Sequence, residues 1–325
     1  MSEDIFHAPE TVAKSSITVV LAGTLLVLAI AILLLSRWIL SKIKNEDLEN
    51  TSSLTSSADT VTVREVSERY KTLWTPGHFW PRNAFLHTSK TKKPYFIYKA
   101  VWMVLTGLLI CCGFYLIFAG FVLEIEVFRE IDQLSASAFV SAAICLCAVW
   151  PFIFRIGSTS TETCTYSREK ASALWVSFFV LLLASICAVR GSALLQAWTL
   201  PGPQFGTLMF LGPGYGIFAG WVIFAASLNL SVAIDYANYP SGTLPYPNAT
   251  SGEIKYTYKD SLLPSIVAIV ILSVSCYALD PSMPFPMLIA VLFFTPRHLG
   301  HLIACGICLL GILVSSWLVV SERVY

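Results

Sequence analysis

Charge is what this sequence has least of. Lys, Arg, Asp and Glu together make up 13% of its 325 residues, about half the share found in an ordinary soluble domain. Water is therefore not the main solvent of the chain. The 21 basic and 20 acidic residues nearly cancel, so there is no basic face of the kind that binds nucleic acid. A disulfide framework is not expected either. The nine cysteines are an odd number, and all but Cys164 lie in apolar runs, where thiols behave as small hydrophobes. Metal-ligating patterns are just as sparse. His298 and His301 stand three apart without an acidic partner, and Cys305-x-x-Cys308 has no second ligand pair, whereas a structural site needs about four ligands. Glycine-rich phosphate loops, nucleophile elbows and His-Glu-x-x-His helices are all missing. No enzyme is expected from this sequence.

What the chain has in abundance is apolar length, with 56% hydrophobic residues. A helix needs about 20 mostly apolar residues to cross the roughly 30 Å hydrocarbon core, because in lipid every backbone polar group must be satisfied within the segment. Runs of this kind occur at Ile17–Leu40, Tyr98–Leu123, Ala136–Ile156, Ala171–Arg190, Pro213–Ile234, Leu262–Leu279 and Leu299–Val320. An eighth, Pro284–Phe294, is short and carries two prolines, which suits a re-entrant segment or a helix buried by its neighbours. The expected fold is all-α: a polytopic transmembrane helix bundle of about eight spans, or seven without the short one. Ile17–Leu40 reads as a retained signal-anchor. The chain is thus read as a multi-pass integral membrane protein with the lipid bilayer as its first partner.

Basic residues set the orientation, because cytoplasmic loops carry the excess of Lys and Arg. With eight spans, 17 of the 21 basic residues fall on one side, and only Lys14, Arg129, Arg190 and Arg323 fall on the other. Both termini are accordingly expected on the non-cytoplasmic side. The acceptor sequences at Asn50-Thr51-Ser52 and Asn248-Ala249-Thr250 would then face the cytoplasm and escape glycosylation. Asn50–Thr62, rich in Ser and Thr, reads as a flexible linker. The aromatic stretch Tyr70–Pro81 reads as an ordered segment at the membrane surface.

Ionisable residues at mid-depth mark function in membrane proteins. The only candidates, Arg190 and Asp235, fall at helix ends, where snorkelling and capping account for them. Inside the spans the chemistry is aromatic and amide. Trp102, Trp150 with Pro151, Trp221, Phe224 and Asn229 stand out. A buried Asn must find a partner, and a bridge between helices is worth about 0.6–2 kcal/mol. Pro151 removes a backbone bond and opens a kink beside Trp150. Such residues either line a pocket for a flat apolar ligand or simply pack helices.

Three segments carry a family resemblance. Tyr215-Gly216-Ile217-Phe218-Ala219-Gly220-Trp221-Val222-Ile223-Phe224-Ala225-Ala226-Ser227-Leu228-Asn229 contains Trp-x-x-Phe-Ala-x-x-Leu-Asn. Leu146-Cys147-Ala148-Val149-Trp150-Pro151-Phe152-Ile153-Phe154 and Val66-Ser67-Glu68-Arg69-Tyr70-Lys71-Thr72-Leu73-Trp74-Thr75-Pro76-Gly77 precede it in the chain, and Trp102 opens the helix after the last of these. Together they resemble the fifth helix, the third helix and the entry segment of the translocator protein family, also called the tryptophan-rich sensory protein (TspO/MBR) family, in its long form with extra helices. An insertion of roughly twenty residues before Trp102 separates the chain from that pattern. So do Cys147 and Ala148, which replace an Asn and a Trp of the family's third helix, and Leu230, which stands where its sterol-recognition stretch has Tyr.

The resemblance implies a TspO-like five-helix core around a cavity for a tetrapyrrole such as a porphyrin or haem, a sterol, or a similar apolar small molecule. It implies binding, sensing or moving that ligand rather than turnover. Trp102, Trp150, Pro151, Trp221, Phe224 and Asn229 would line the cavity. The chain would divide into residues 1–41 (tail and first transmembrane helix), 42–97 (a partly disordered cytoplasmic loop), 98–235 (core), 236–261 (loop) and 262–325 (additional helices). Cys147 and Ala148 favour the alternative: a non-enzymatic structural or assembly subunit with its cavity filled, acting as a homodimer or within a larger membrane complex. A transporter is a further reading, thinly supported by Pro151 and the prolines near Pro284.

Overall fold

The structure, a computed structural model, describes residues 8–54, 93–122, 133–157, 168–195, 197–199, 210–237, 258–294 and 299–324. The aromatic stretch at 70–81, the linker residues beyond Leu54, Cys164, His298 and Asn248 lie outside them. The described residues form eight helices and no strand: α1 (Ala8–Leu54), α2 (Lys93–Val122), α3 (Gln133–Gly157), α4 (Arg168–Leu195), α5 (Gly212–Ala237), α6 (Tyr258–Ala278), α7 (Phe285–Phe294) and α8 (Leu299–Val324). Six contain stretches long and apolar enough to cross a membrane: Ile17–Ile43, Trp102–Ala119, Leu134–Phe154, Ala171–Leu195, Gly212–Ser231 and Leu299–Glu322. The protein is a multi-pass integral membrane helix bundle.

The two remaining helices are shorter. In α6 the apolar stretch is Leu262–Ala278. The ten residues of α7 rise only about 15 Å, half the hydrocarbon thickness. With Met287 and Ala290 buried, α7 is covered on one face by its neighbours, and the chain that follows it returns to the start of α6, where Ser265 Oγ donates to the Gly300 carbonyl at 3.3 Å. At the other end of the chain, α1 continues to Leu54. It thereby overlaps the start of the Ser/Thr-rich stretch read as a linker, since extending a formed helix is far easier than nucleating one.

Packing closes α1–α5 into a ring. Helix α1 lies against α2 and α3, α3 against α4, α4 against α5, and α5 returns to α2. Small residues allow the backbones to approach, as membrane helices require: a Cβ on Gly23 of α1 would stand 2.6 Å from the Gly113 carbonyl of α2. Outside the ring, α7 and α6 pack on α5, α6 also touches α4, and α8 covers α6 and α7. Consequently α5 is central, with 78% of its apolar window buried against 28% for α8. The outward faces of α1 and α8 present Leu28, Leu35, Leu302, Leu313 and Trp317, an apolar surface suited to lipid.

Candidate functional site

The ring has two ends that the side chains tell apart. At the first, where α3 and α5 begin, Ser137 and Tyr215 share a hydrogen bond of 2.7 Å across the ring. Phe218 is fully buried one turn further along α5. From the middle of α5 toward the second end, where α1 and α5 end and α2 begins, the aromatic residues gather. Trp102 meets Trp221 edge to face, with centroids 6.0 Å apart and planes at 85°, and Trp221 contacts Phe224 at 5.9 Å. These are favourable geometries for ring quadrupoles. The guanidinium of Arg37 lies over the Trp102 ring at 5.4 Å and within electrostatic reach of Cys147 on α3.

Trp102, Trp221 and Phe224 are therefore brought together, on the α2–α5 seam. Trp150 and Pro151 are buried on α3, where Trp150 packs on Phe154 at 5.3 Å. Helix α3 runs on through Pro151 to Gly157. Asn229 turns toward α4, with Oδ1 2.7 Å from the Ser177 hydroxyl. Asn229 is the fifth residue after Phe224, about 140° around the helix, so the two point to different neighbours. Trp221 and Asn229 are about 80° and 12 Å apart and border the same side of α5.

Two buried polar atoms in this region have no hydrogen-bond partner among the described residues: Trp150 Nε1 and Asn229 Nδ2. Trp150 is 6% exposed and Asn229 fully enclosed. Ser177 has one hydroxyl hydrogen and a second acceptor, the Leu174 carbonyl, at 2.9 Å. If that hydrogen goes to Leu174, the amide turned over donates Nδ2–H to Ser177 and leaves Oδ1 exposed to the interior. Either way, one amide atom of Asn229 is left over.

Hydropathy along the sequence marks Arg37 only as the end of the first run. In the structure the apolar stretch continues to Ile43, so Arg37 sits inside it. A cation six residues inside the end of an apolar span, with Lys42 nearer that end, is the signal that identifies it. Asp280 escapes sequence reasoning altogether. Its carboxylate is buried at the first end and takes hydrogen bonds from Ser192 Oγ (2.5 Å), Trp198 Nε1 (3.0 Å), Ser282 N (2.9 Å) and Ser282 Oγ (2.6 Å). Nothing in the spacing of Asp280 and Ser192 foretells their meeting. Arg190, expected at a helix end, sits five residues inside α4, whose apolar stretch continues to Leu195; it is exposed and donates to the Tyr277 hydroxyl at 3.4 Å. The Asp235 side chain is outside those described. His301, Cys305 and Cys308 are buried, and no group of three or more metal-ligating side chains occurs among the described residues.

Comparison with protein-family models, curated proteins and solved structures finds no match to this chain.

Proposed function

We propose that this membrane protein binds a planar, largely apolar small molecule in the half of the ring where α1 and α5 end, in order to sense or move it. The observation that carries the reading is the pair of unpartnered polar atoms, Trp150 Nε1 and one amide atom of Asn229, buried in a ring that also holds the Trp102–Trp221–Phe224 cluster. A buried polar group left unpaired costs about 1–3 kcal/mol. Lipid tails have nothing to offer it, whereas a flat guest with polar atoms at its edge satisfies both groups and stacks its faces on indole rings. The resemblance of Trp150-Pro151 and Trp221-x-x-Phe224 to the tryptophan-rich sensory proteins supports the same reading, with tetrapyrroles and sterols as ligand classes.

A protoporphyrin titration followed by tryptophan fluorescence tests it. Saturable quenching is expected. Trp150→Phe, which keeps a ring but removes the N–H, should weaken binding about threefold to tenfold, the worth of one hydrogen bond. Asn229→Leu should weaken it at least as much. Absence of saturable quenching by either protoporphyrin or a fluorescent sterol overturns the proposal.

The second reading, an assembly subunit, draws on the first end of the ring, which Tyr215, Phe218 and the Ser137 bond already fill. A stoichiometric partner in detergent extracts, with no ligand binding, would favour it.

A further inference from the structure

Asp280 occupies a position that simple helix packing does not require. Helix α6 ends in a Schellman turn: Asp280 N–H bonds the Ser275 carbonyl at 3.0 Å and Leu279 N–H bonds that of Cys276 at 3.3 Å. Such a turn needs a left-handed residue, usually glycine. Here it is Leu279, with φ 50°, a conformation that a side-chain-bearing residue holds only when its surroundings impose it. What imposes it is the docking of the turn on α5. A Cβ at Gly216 would collide with Asp280 and Ser282, and one at Gly220 with the Met283 carbonyl. These two glycines form the notch that receives the turn, and Asp280 is bonded inside it.

The bonding pattern has a chemical asymmetry. Oδ1 accepts from two groups that can only donate, Trp198 Nε1 and Ser282 N, and also from Ser282 Oγ. Among the described residues Oδ2 faces only the Ser192 hydroxyl, which can donate or accept. A proton on Oδ2 is therefore accommodated without moving any heavy atom: the carboxyl donates to Ser192 Oγ, and the serine hydrogen, still bound to its oxygen, rotates away from the carboxyl. Removing that proton to water leaves a full negative charge in the notch.

The surrounding elements supply little to balance that charge. Among the described residues, α4 contributes Arg190, which is exposed and turned to Tyr277. The segment 197–199 and α7 contain no charged residue, and α5 presents Tyr215, bonded to Ser137. On α6 the titratable neighbours are Tyr277 and Cys276. Helix α8 meets the turn at Gly311, against Pro284. Its His301 lies ten residues away, about 15 Å, and its Glu322 is exposed.

We propose that Asp280 is a proton-binding site: protonated, it fastens the α6–α7 turn into its notch on α5, and ionised, it loosens the turn. Burial pushes the carboxyl above its ordinary value, against the pull of the bonds from Ser192, Ser282 and Trp198. A carboxyl raised on folding adds stability that is fully present below its unfolded value and is lost as pH rises through the folded one.

Infrared difference spectra of the full chain in nanodiscs, taken against pH, test the proposal together with hydrogen exchange of residues 279–284 corrected for intrinsic rates. A protonated-carboxyl band should persist above the ordinary carboxylate range and vanish in Asp280→Asn. Protection of the turn should fall as the band is lost in the native protein but stay constant in Asp280→Asn. Ser192→Ala, which removes a bond that favours the anion, should move the midpoint upward; it also keeps the test decisive if Asp280→Asn does not fold. The proposal is overturned if Asp280 is fully ionised across the range, or if the turn's protection is independent of the band.

Discussion

A serine hydroxyl has one hydrogen, and at Ser177 that limit makes Asn229 readable. The Ser177–Asn229 contact joins α4 to α5, so a double-mutant cycle of Ser177→Ala and Asn229→Leu should return a coupling of about 0.6–2 kcal/mol in detergent unfolding. A coupling near zero would mean that the amide is held by something else. The second amide atom adds nothing to this cycle and should register only in ligand binding, which separates the two roles of one side chain. Residues of this kind are legible in the sequence, because an amide or an indole within an apolar run has few explanations. Asp280 is not, because its meaning depends on Ser192 and Trp198, more than eighty residues away in the chain. Spacing along a single helix carries no information about such a meeting.

At the scale of elements, the spans are readable because apolar length is a one-dimensional property, and the six long ones fall where the runs lie. The order of helices around the ring is not, since it depends on contacts between helices far apart in the chain, such as Trp102 of α2 against Trp221 of α5. The α6–α7 turn is where local preference and tertiary packing disagree. The left-handed conformation costs a leucine roughly 1–2 kcal/mol, while glycine returns about 0.5–1 kcal/mol through the freedom of its unfolded chain. Leu279→Gly should therefore stabilise the protein by up to about 1 kcal/mol. Gly220→Ala should do the reverse, by about 1–3 kcal/mol, because its methyl meets the Met283 carbonyl and the turn must shift. Gly107→Ala is the control: nothing lies within 4 Å of the added carbon, so only helix propensity changes, by about 0.8–1 kcal/mol in the stabilising direction. Thermal unfolding of the three variants in one detergent checks the signs. Loss of stability in Leu279→Gly would show that the leucine side chain, not the turn, is what holds α6 in place.

For the molecule as a whole, the two polar features sit at opposite ends of one helix. Gly216, against Asp280, and Asn229 are thirteen residues apart on α5, about 20 Å along the axis, most of the way across the hydrocarbon core. The end near Asn229 is also where Lys42 lies over Trp38 at 5.1 Å, an aromatic and basic pairing typical of a membrane boundary. If the excess of Lys and Arg marks the cytoplasmic face, the aromatic site opens toward the cytoplasm, and Asp280 samples the pH of the opposite compartment. Impermeant maleimide on intact vesicles of known orientation tests this directly, in a Cys164→Ala background so that the one cysteine in a polar loop does not report. Lys42→Cys should be labelled from the cytoplasmic side alone and Thr199→Cys from the other alone. Glycan on Asn50 or Asn248 would carry the same meaning as reversed labelling, because both acceptors fall on the face assigned to the cytoplasm. Reversal would leave the ring and the Asp280 notch as they are, but it would exchange the compartments they face, and with them the direction in which a bound guest is delivered.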